Sequence, residues 1–159
     1  MWSKIKKFIS SPSSKRKLFI EAFIYLAWAR ILKSLPFSRV APSLGSSMLE
    51  TSQTHDPHHE PVLRIVSSTI QTVSRHTLWE STCMVRAIAA MKMLERRGIE
   101  CTLYLGTAKD HQGKMTAHAW VRSGSVYITG FEEMKKFTVV GKFGKHLNTN
   151  ADRRRISEA

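Results

Sequence analysis

The feature that most constrains the fold is a change in hydrophobic spacing at Gly98. Before it, in the segment 79–98, the apolar residues that recur at helical spacing are Met84, Ala87, Ile88, Met91 and Leu94. After it, the apolar residues that alternate with polar ones, as in a strand, are Cys101, Leu103 and Leu105. Glycine readily adopts the left-handed conformation that ends helices. The pattern therefore predicts a helix that stops at Gly98 and leads into a sheet.

Other elements follow from the same periodicities. We predict helices over 18–35, which Pro36 ends, and over 62–76. The segment 37–45 is predicted to be a connector and 46–61 an exposed linker. Gly106 is predicted to close the first strand, and further strands are predicted over 117–122, 125–129 and 137–140.

Helices followed by strands predict an α+β fold, in which the helix before Gly98 packs on a small antiparallel sheet. We place this domain at residues 18–143. A basic N-terminal segment, 1–17, precedes it, and a flexible basic tail, 144–159, follows it.

The charge of the chain is strongly positive, with 25 Lys and Arg against 12 Asp and Glu and a formal net charge of +13. Such a surface attracts nucleic acid, anionic lipid or acidic peptides. No nucleic-acid recognition motif is present, so nucleic acid is not an expected partner. The segment 1–17 sets Trp2, Ile5 and Phe8 among lysines, a pattern that suits weak, peripheral contact with a membrane surface but is more often that of a frayed terminus.

The two cysteines, Cys83 and Cys101, are too few for a disulfide framework, and the N-terminus lacks the pattern of a signal peptide. We therefore expect the protein in the cytoplasm. The run T-H-D-P-H-H-E, 54–60, has residue types that bind metals, but no second cluster with ligand spacing follows it. Neither a metal nor a cofactor is predicted.

Cys83 is predicted to lie in the first turn of the helix before Gly98. Thr77 and Glu80 fit a capping box, and Ser81 or Thr82 is the alternative cap. Unpaired amides and the helix dipole at such a position favour a thiolate. His118 lies in the predicted strand 117–122, and a thiol beside an imidazole is a nucleophile with its base. The alternative interpretation is that Cys83 is a small buried apolar residue and His118 a structural histidine.

Several motifs in order resemble one family. They are W-E-S-T-C-M-V-R-A at 79–87, L-Y-L-G at 103–106, A-H-A-W-V at 117–121, I-T-G at 128–130 and F-T-V-V at 137–140. Together with the apolar helix that begins near Leu18, they resemble the transglutaminase-like cysteine protease half of the B proteins of lasso-peptide biosynthesis. The resemblance covers residues 18–143.

The resemblance implies a function and partners. Proteases of this family remove the leader from a ribosomally made precursor peptide, next to a site marked by a Thr that is next-to-last in the leader. A separate ATP-dependent cyclase then closes a macrolactam ring. The chain has no room for the small recognition domain of fused members, which implies a separate leader-recognition protein. By motif, Cys83 is the nucleophile and His118 the general base.

The family's third catalytic residue has no counterpart here. It is an Asp soon after the His, whereas 127–133 contains no Asp and the only later one is Asp152. We predict Glu132 in this role, with Glu133, Thr129 or a backbone carbonyl as alternatives. The missing Asp also supports a second hypothesis, a non-catalytic interaction module on the same fold. A third is a basic protein that binds membrane surfaces or nucleic acid.

Overall fold

A computed structural model describes residues 13–147 of the 159-residue chain. The helices are α1 (Ser13–Leu32), α2 (Phe37–Leu44), α3 (Glu60–Ser74), α4 (Cys83–Glu95) and the short α5 (Phe131–Met134). The strands are β1 (Ser46–Ser47), β2 (Cys101–Lys109), β3 (Met115–Ser123), β4 (Val126–Thr129) and β5 (Thr138–Lys145).

The strands form one antiparallel sheet in the order β1-β5-β2-β3-β4. Helices α1, α3 and α4 pack together, and α4 also contacts β2, β3 and β4. The predicted α+β fold, with a helix packed on a small antiparallel sheet, is confirmed. In β3, the alternating register places His118 opposite Gly106 and Trp120 opposite Tyr104.

Helix α4 is the centre of the core. The sequence pattern predicts burial of one stripe, but the helix is buried on nearly every side because α1 and α3 cover the face that the sheet leaves open. Its buried residues are Val85, Ala87, Ile88, Ala89, Ala90, Met91, Met93 and Leu94. Alanines on this helix let neighbouring elements approach closely, so the short residues are as necessary as the long ones.

The C-terminal end of α4 is closed in the predicted way. Gly98 has a φ of +64°, and the amide of Ile99 donates a hydrogen bond of 3.1 Å to the Leu94 carbonyl. Arg97 then ties this end to α1 through two hydrogen bonds to Glu21, of 2.9 and 2.7 Å. This paired geometry raises the pKa of Arg97, because the Glu21 carboxylate stabilises the charged guanidinium.

One predicted connector and one predicted strand end are wrong. The segment 37–45 is not a connector: it forms α2, which buries Val40 and Leu44. Gly106 does not end the first strand, which continues to Lys109. Glycine is needed there for close approach, since a Cβ at this position would lie 2.8 Å from both Phe137 Cβ and the Trp120 ring.

Two elements cross the predicted limits at residues 18 and 143, while the division into domain and terminal segments stays a prediction. Helix α1 begins at Ser13, within the segment predicted as a basic N-terminus, and β5 runs to Lys145, into the predicted tail. The predicted membrane-facing residues of 1–12 and the tail from 148 onward lie outside the described residues. Among the helices of 13–147, none is both long enough and apolar enough to cross a membrane.

The segment 46–61 is anchored to the sheet by Glu50. Its carboxylate accepts hydrogen bonds from Lys142 Nζ at 2.8 Å and from the Tyr104 hydroxyl at 3.1 Å. Arg122, buried behind Tyr104, lies 3.4 Å from the same carboxylate. The hydrogen bond from Lys142 is the main cause that holds the pKa of Glu50 below its ordinary value of 4.5.

We therefore predict a pH-dependent loss of stability in Glu50→Gln. A lowered pKa means that the stabilisation is complete above the ordinary value of 4.5 and is lost as pH falls through the lower folded-state value. The variant should lose about 1–2 kcal/mol of unfolding free energy at neutral pH. In urea titrations the difference from wild type should narrow as the pH falls below 4.5, the ordinary pKa of the carboxyl. The exposed Glu80→Gln should behave like wild type, and an unchanged difference at low pH would contradict the prediction.

Candidate active site

Cys83 is the first residue of α4, and its side chain is partly buried at the edge of the core. The preceding residue, Thr82, has extended backbone angles (φ −61°, ψ 169°) and occupies the capping position. Its hydroxyl makes no hydrogen bond to the helix and is buried without a partner. The amides of the first turn are therefore not capped by this side chain, and they lie beside the thiol.

The predicted capping box of Thr77 and Glu80 is wrong, because no helix begins at Thr77. Its hydroxyl lies 3.0 Å from the Ser74 carbonyl and 2.8 Å from the Trp79 carbonyl. These contacts fold the segment between α3 and α4 into a tight loop. Of the alternative caps, Thr82 has the right position but not the hydrogen bond.

The second cysteine lies in a different environment. Cys101 is fully buried on β2, and burial raises the pKa of its thiol to about 12. A thiol of this kind is protonated and unreactive at neutral pH. Of the two cysteines, only Cys83 combines partial exposure with a helix start.

His118 lies on β3 and is 6% exposed. Its Nε2 is 3.0 Å from the carbonyl oxygen of Gly130. A carbonyl can only accept a hydrogen bond, so this nitrogen carries the proton, and Nδ1 is the basic nitrogen of the neutral ring. The ring also stacks against Phe137 and Trp120, with centroid distances of 5.0 and 5.8 Å. The imidazole is thus held by one hydrogen bond and two aromatic neighbours.

Gly130 makes this arrangement possible. It has a φ of +73° between β4 and α5, a conformation that favours glycine. A Cβ at this position would lie 2.9 Å from His118 Nε2 and 2.8 Å from the Ala119 carbonyl oxygen. Only glycine allows the carbonyl to come so close to the ring. The sequence signal for it was the I-T-G motif, in which the glycine has no side chain to indicate a role.

The two glutamates of α5 differ in their relation to His118. Glu133 Oε2 lies 3.8 Å from Nδ1, and this carboxylate is 62% exposed. Glu132 lines the same cavity as His118, but within residues 13–147 no hydrogen bond or ion pair joins the two side chains. The role of Glu132 as the third catalytic residue stays a prediction.

A cavity of about 320 Å³ adjoins the imidazole. Its wall includes His118, Gly130, Glu132 and Glu133, and it also includes Arg86 from α4. Cys83 is not part of the wall, although Arg86 lies only one helical turn after it. The structure therefore brings His118 and the glutamates together, and it connects them to the Cys83 helix through Arg86. The motif at 79–87 includes Arg86, but nothing in the sequence pattern indicates a role for it.

Two histidines of the run 54–60 form ion pairs with acidic residues nearby in the sequence. His55 lies 3.2 Å from Glu60, and His59 lies 3.2 Å from Asp56. In the part of the chain that the structure describes, no group of three or more His, Cys, Asp or Glu side chains is arranged to hold a metal ion.

Comparison with known families agrees with the architecture. The family model described as the transglutaminase-like superfamily matches residues 22–142, a span that includes Cys83, His118 and Gly130. The chain belongs to the transglutaminase-like superfamily. This superfamily includes cysteine proteases. Searches of curated proteins and of solved structures find no significant match.

We predict that iodoacetamide modifies Cys83 and leaves Cys101 unmodified in the folded protein. Cys101 is excluded from solvent and has a pKa of about 12, whereas Cys83 is partly exposed beside open amides. Peptide mapping by mass spectrometry should show a single adduct, which Cys83→Ser abolishes and Cys101→Ser retains. Equal rates of modification at the two cysteines would contradict this prediction.

Proposed function

We propose that the protein is a cysteine peptidase that removes the leader from a lasso-peptide precursor, with Cys83 as nucleophile and His118 as general base. Membership of the transglutaminase-like superfamily supports the class of chemistry. The finer assignment rests on the ordered motifs of the sequence. The observation that carries the proposed peptidase chemistry is the tethered imidazole of His118, whose Nδ1 can take a proton while Nε2 stays bonded to Gly130.

In the first half of the reaction, His118 Nδ1 takes the proton of the Cys83 thiol. The thiolate then attacks the scissile carbonyl and forms a tetrahedral intermediate. The amides of the first turn of α4 donate hydrogen bonds to its oxyanion. The C–N bond breaks, Nδ1–H donates its proton to the leaving amine, and the leader stays on Sγ as a thioester.

In the second half, His118 Nδ1 takes a proton from water as the water attacks the thioester. The Sγ–C bond breaks, the leader leaves with a free carboxylate, and the proton returns to the thiolate. No cofactor takes part in this sequence. Contact between thiol and imidazole is required in both halves. Such hydrogen bonds are often long before substrate binds and tighten in the reacting complex.

The Gly130 carbonyl takes the place of the acid that other members use to orient the imidazole. A carbonyl fixes the tautomer and the ring direction as a carboxylate does, but it carries no full charge to stabilise the imidazolium. Glu133, 3.8 Å from Nδ1, is a carboxylate that can stabilise the ring once it is protonated. Because Glu133 is largely exposed, water screens its contribution.

The proposal includes partners. The precursor peptide is the substrate, a separate leader-recognition protein delivers it, and an ATP-dependent macrolactam cyclase uses the product. These steps place the protein in the cytoplasm. The excess of basic residues would favour docking of an acidic partner surface or weak contact with anionic lipid.

Leader release is the direct test. The protein is mixed with a lasso-peptide precursor and its leader-recognition protein, and the products are measured by mass spectrometry. Cys83→Ala should abolish release, because no other described group supplies an exposed thiol. His118→Ala should slow release by about a hundredfold or more, since proton transfer is lost. Cys101→Ser is the matched control and should cleave normally. Release that survives Cys83→Ala unchanged would overturn the proposal.

A second prediction tests the carbonyl of Gly130. In Gly130→Ala the new Cβ would displace the imidazole from its acceptor, so release should slow by about tenfold or more beyond any loss of stability. The matched control is Gly113→Ala, where φ is +76° and a Cβ would meet nothing within 4 Å. Both variants should lose about 1 kcal/mol of stability from backbone strain.

Only Gly130→Ala should change the pH dependence of Cys83 alkylation, because only this substitution touches the imidazole. If the two alanine variants release leader at the same rate and share one pH profile, the carbonyl does not orient the base.

A non-catalytic interaction module remains the second candidate, and one observation favours it. Cys83 does not line the cavity next to His118. For such a module, the rate of Cys83 alkylation should be the same in His118→Ala as in wild type, and leader release should be absent.

A further inference from the structure

Arg86 carries a positive charge into the cavity beside His118. Its Nε is buried and has no hydrogen-bond partner, although the residue as a whole is only partly buried. A buried N–H of a charged group that lacks an acceptor costs free energy, and most such groups are paired in folded proteins. The unpaired donor therefore indicates an acceptor that the folded chain does not itself supply.

The acids within the described residues do not neutralise this guanidinium. Four other arginines form ion pairs with glutamates, namely Arg64, Arg96, Arg97 and Arg122. Arg86 forms none of the ion pairs among residues 13–147. Glu132 and Glu133 share its cavity, but both are exposed on α5, and the Glu133 carboxylate lies next to His118 instead. Hydrated carboxylates at the rim are screened by water, whereas the buried side of Arg86 is not.

Arg86 lies one helical turn after Cys83 on α4. Residues three apart on a helix lie on the same face, with Cβ atoms about 5–6 Å apart. Arg86 thus projects from the face of α4 on which Cys83 begins the helix. The cavity, about 320 Å³, has room for a side-chain carboxylate. A guanidinium presents a planar pair of donors that matches the two oxygens of a carboxylate.

We propose that Arg86, one helical turn after Cys83, forms a carboxylate-binding subsite in this cavity, which selects peptides with an acidic residue close to the scissile bond. This inference deepens the proposed peptidase function and rests on it for the identity of the substrate. The binding chemistry itself depends only on Arg86 and the cavity, and Cys83 serves as the reporter one helical turn away. It is therefore testable without cleavage.

The probe is a pair of alkylating reagents that differ by one charge. Iodoacetate carries a carboxylate, and iodoacetamide is its neutral isostere. Each rate at Cys83 is divided by the rate of the same reagent with free cysteine, and the iodoacetate value is then compared with the iodoacetamide value. Because both reagents report the same thiolate, their ratio cancels any change in thiol ionisation.

In wild type, iodoacetate should be favoured by about tenfold, as expected for an ion pair in a partly buried site. Arg86→Gln should remove most of this preference, and Arg86→Lys should retain part of it, since it keeps the charge without the planar fork. Arg96→Gln is the matched control, because it removes one exposed positive charge at the opposite end of α4. It should keep the full preference. Thermal unfolding of each variant verifies the fold.

The subsite is overturned if wild type shows no preference for iodoacetate, or if Arg86→Gln and Arg96→Gln retain it equally. Leader release is scored separately. Release without the preference would leave the peptidase intact and remove the subsite. The preference without release would leave a carboxylate-binding site and remove the peptidase. Where both hold, peptides with Asp next to the scissile bond should be cleaved faster than their Asn counterparts, and Arg86→Gln should erase the difference.

Discussion

Burial of α4 on nearly every side is the constraint on which the rest of the structure depends. The helix contacts α1 and α3 on one side and three strands on the other, and its fully buried residues include Ile88, Met91 and Leu94. Each of these contributes about 1.5–3 kcal/mol by leaving water. The same burial fixes the register of the helix, and so the position of its first residue, Cys83. A nucleophile at this position is therefore held in place by the packing of the helix itself.

The order of helices and strands could be predicted from the sequence because the spacing of apolar residues differs between the two. The change of spacing at Gly98 predicted both the end of α4 and the start of the sheet. The burial of Ala89, Ala90 and Met93 was not predicted. These residues lie outside the predicted apolar stripe of α4, and the spacing of apolar residues within α4 does not show that α1 and α3 pack on it. Helix α2 was missed because Pro42 lies within its short span, where proline ordinarily argues against a helix.

The candidate site could be predicted only in part, because some of its residues have no distinctive side chain or spacing. Cys83 and His118 carry reactive side chains, and the surrounding motifs drew attention to them. Gly130 contacts His118 through its main-chain carbonyl. Because every residue has such a carbonyl, the residue type does not indicate this contact. Arg86 belonged to a motif that was recognised, but a charged residue on an amphipathic helix is ordinarily solvated. Only its burial without a partner distinguishes it from the arginines at the other end of α4.

An imidazole held by a main-chain carbonyl also bears on whether a superfamily member without the acid should be classed as inactive. A carboxylate can be lost by one substitution, whereas a carbonyl is present whatever residue is encoded. Under the proposed mechanism, the feature that orients the imidazole is a backbone conformation, held by a glycine at φ +73°. Under this mechanism, the lack of the acid does not by itself make a relative inactive. The more informative position to compare is the glycine that follows the last strand before α5.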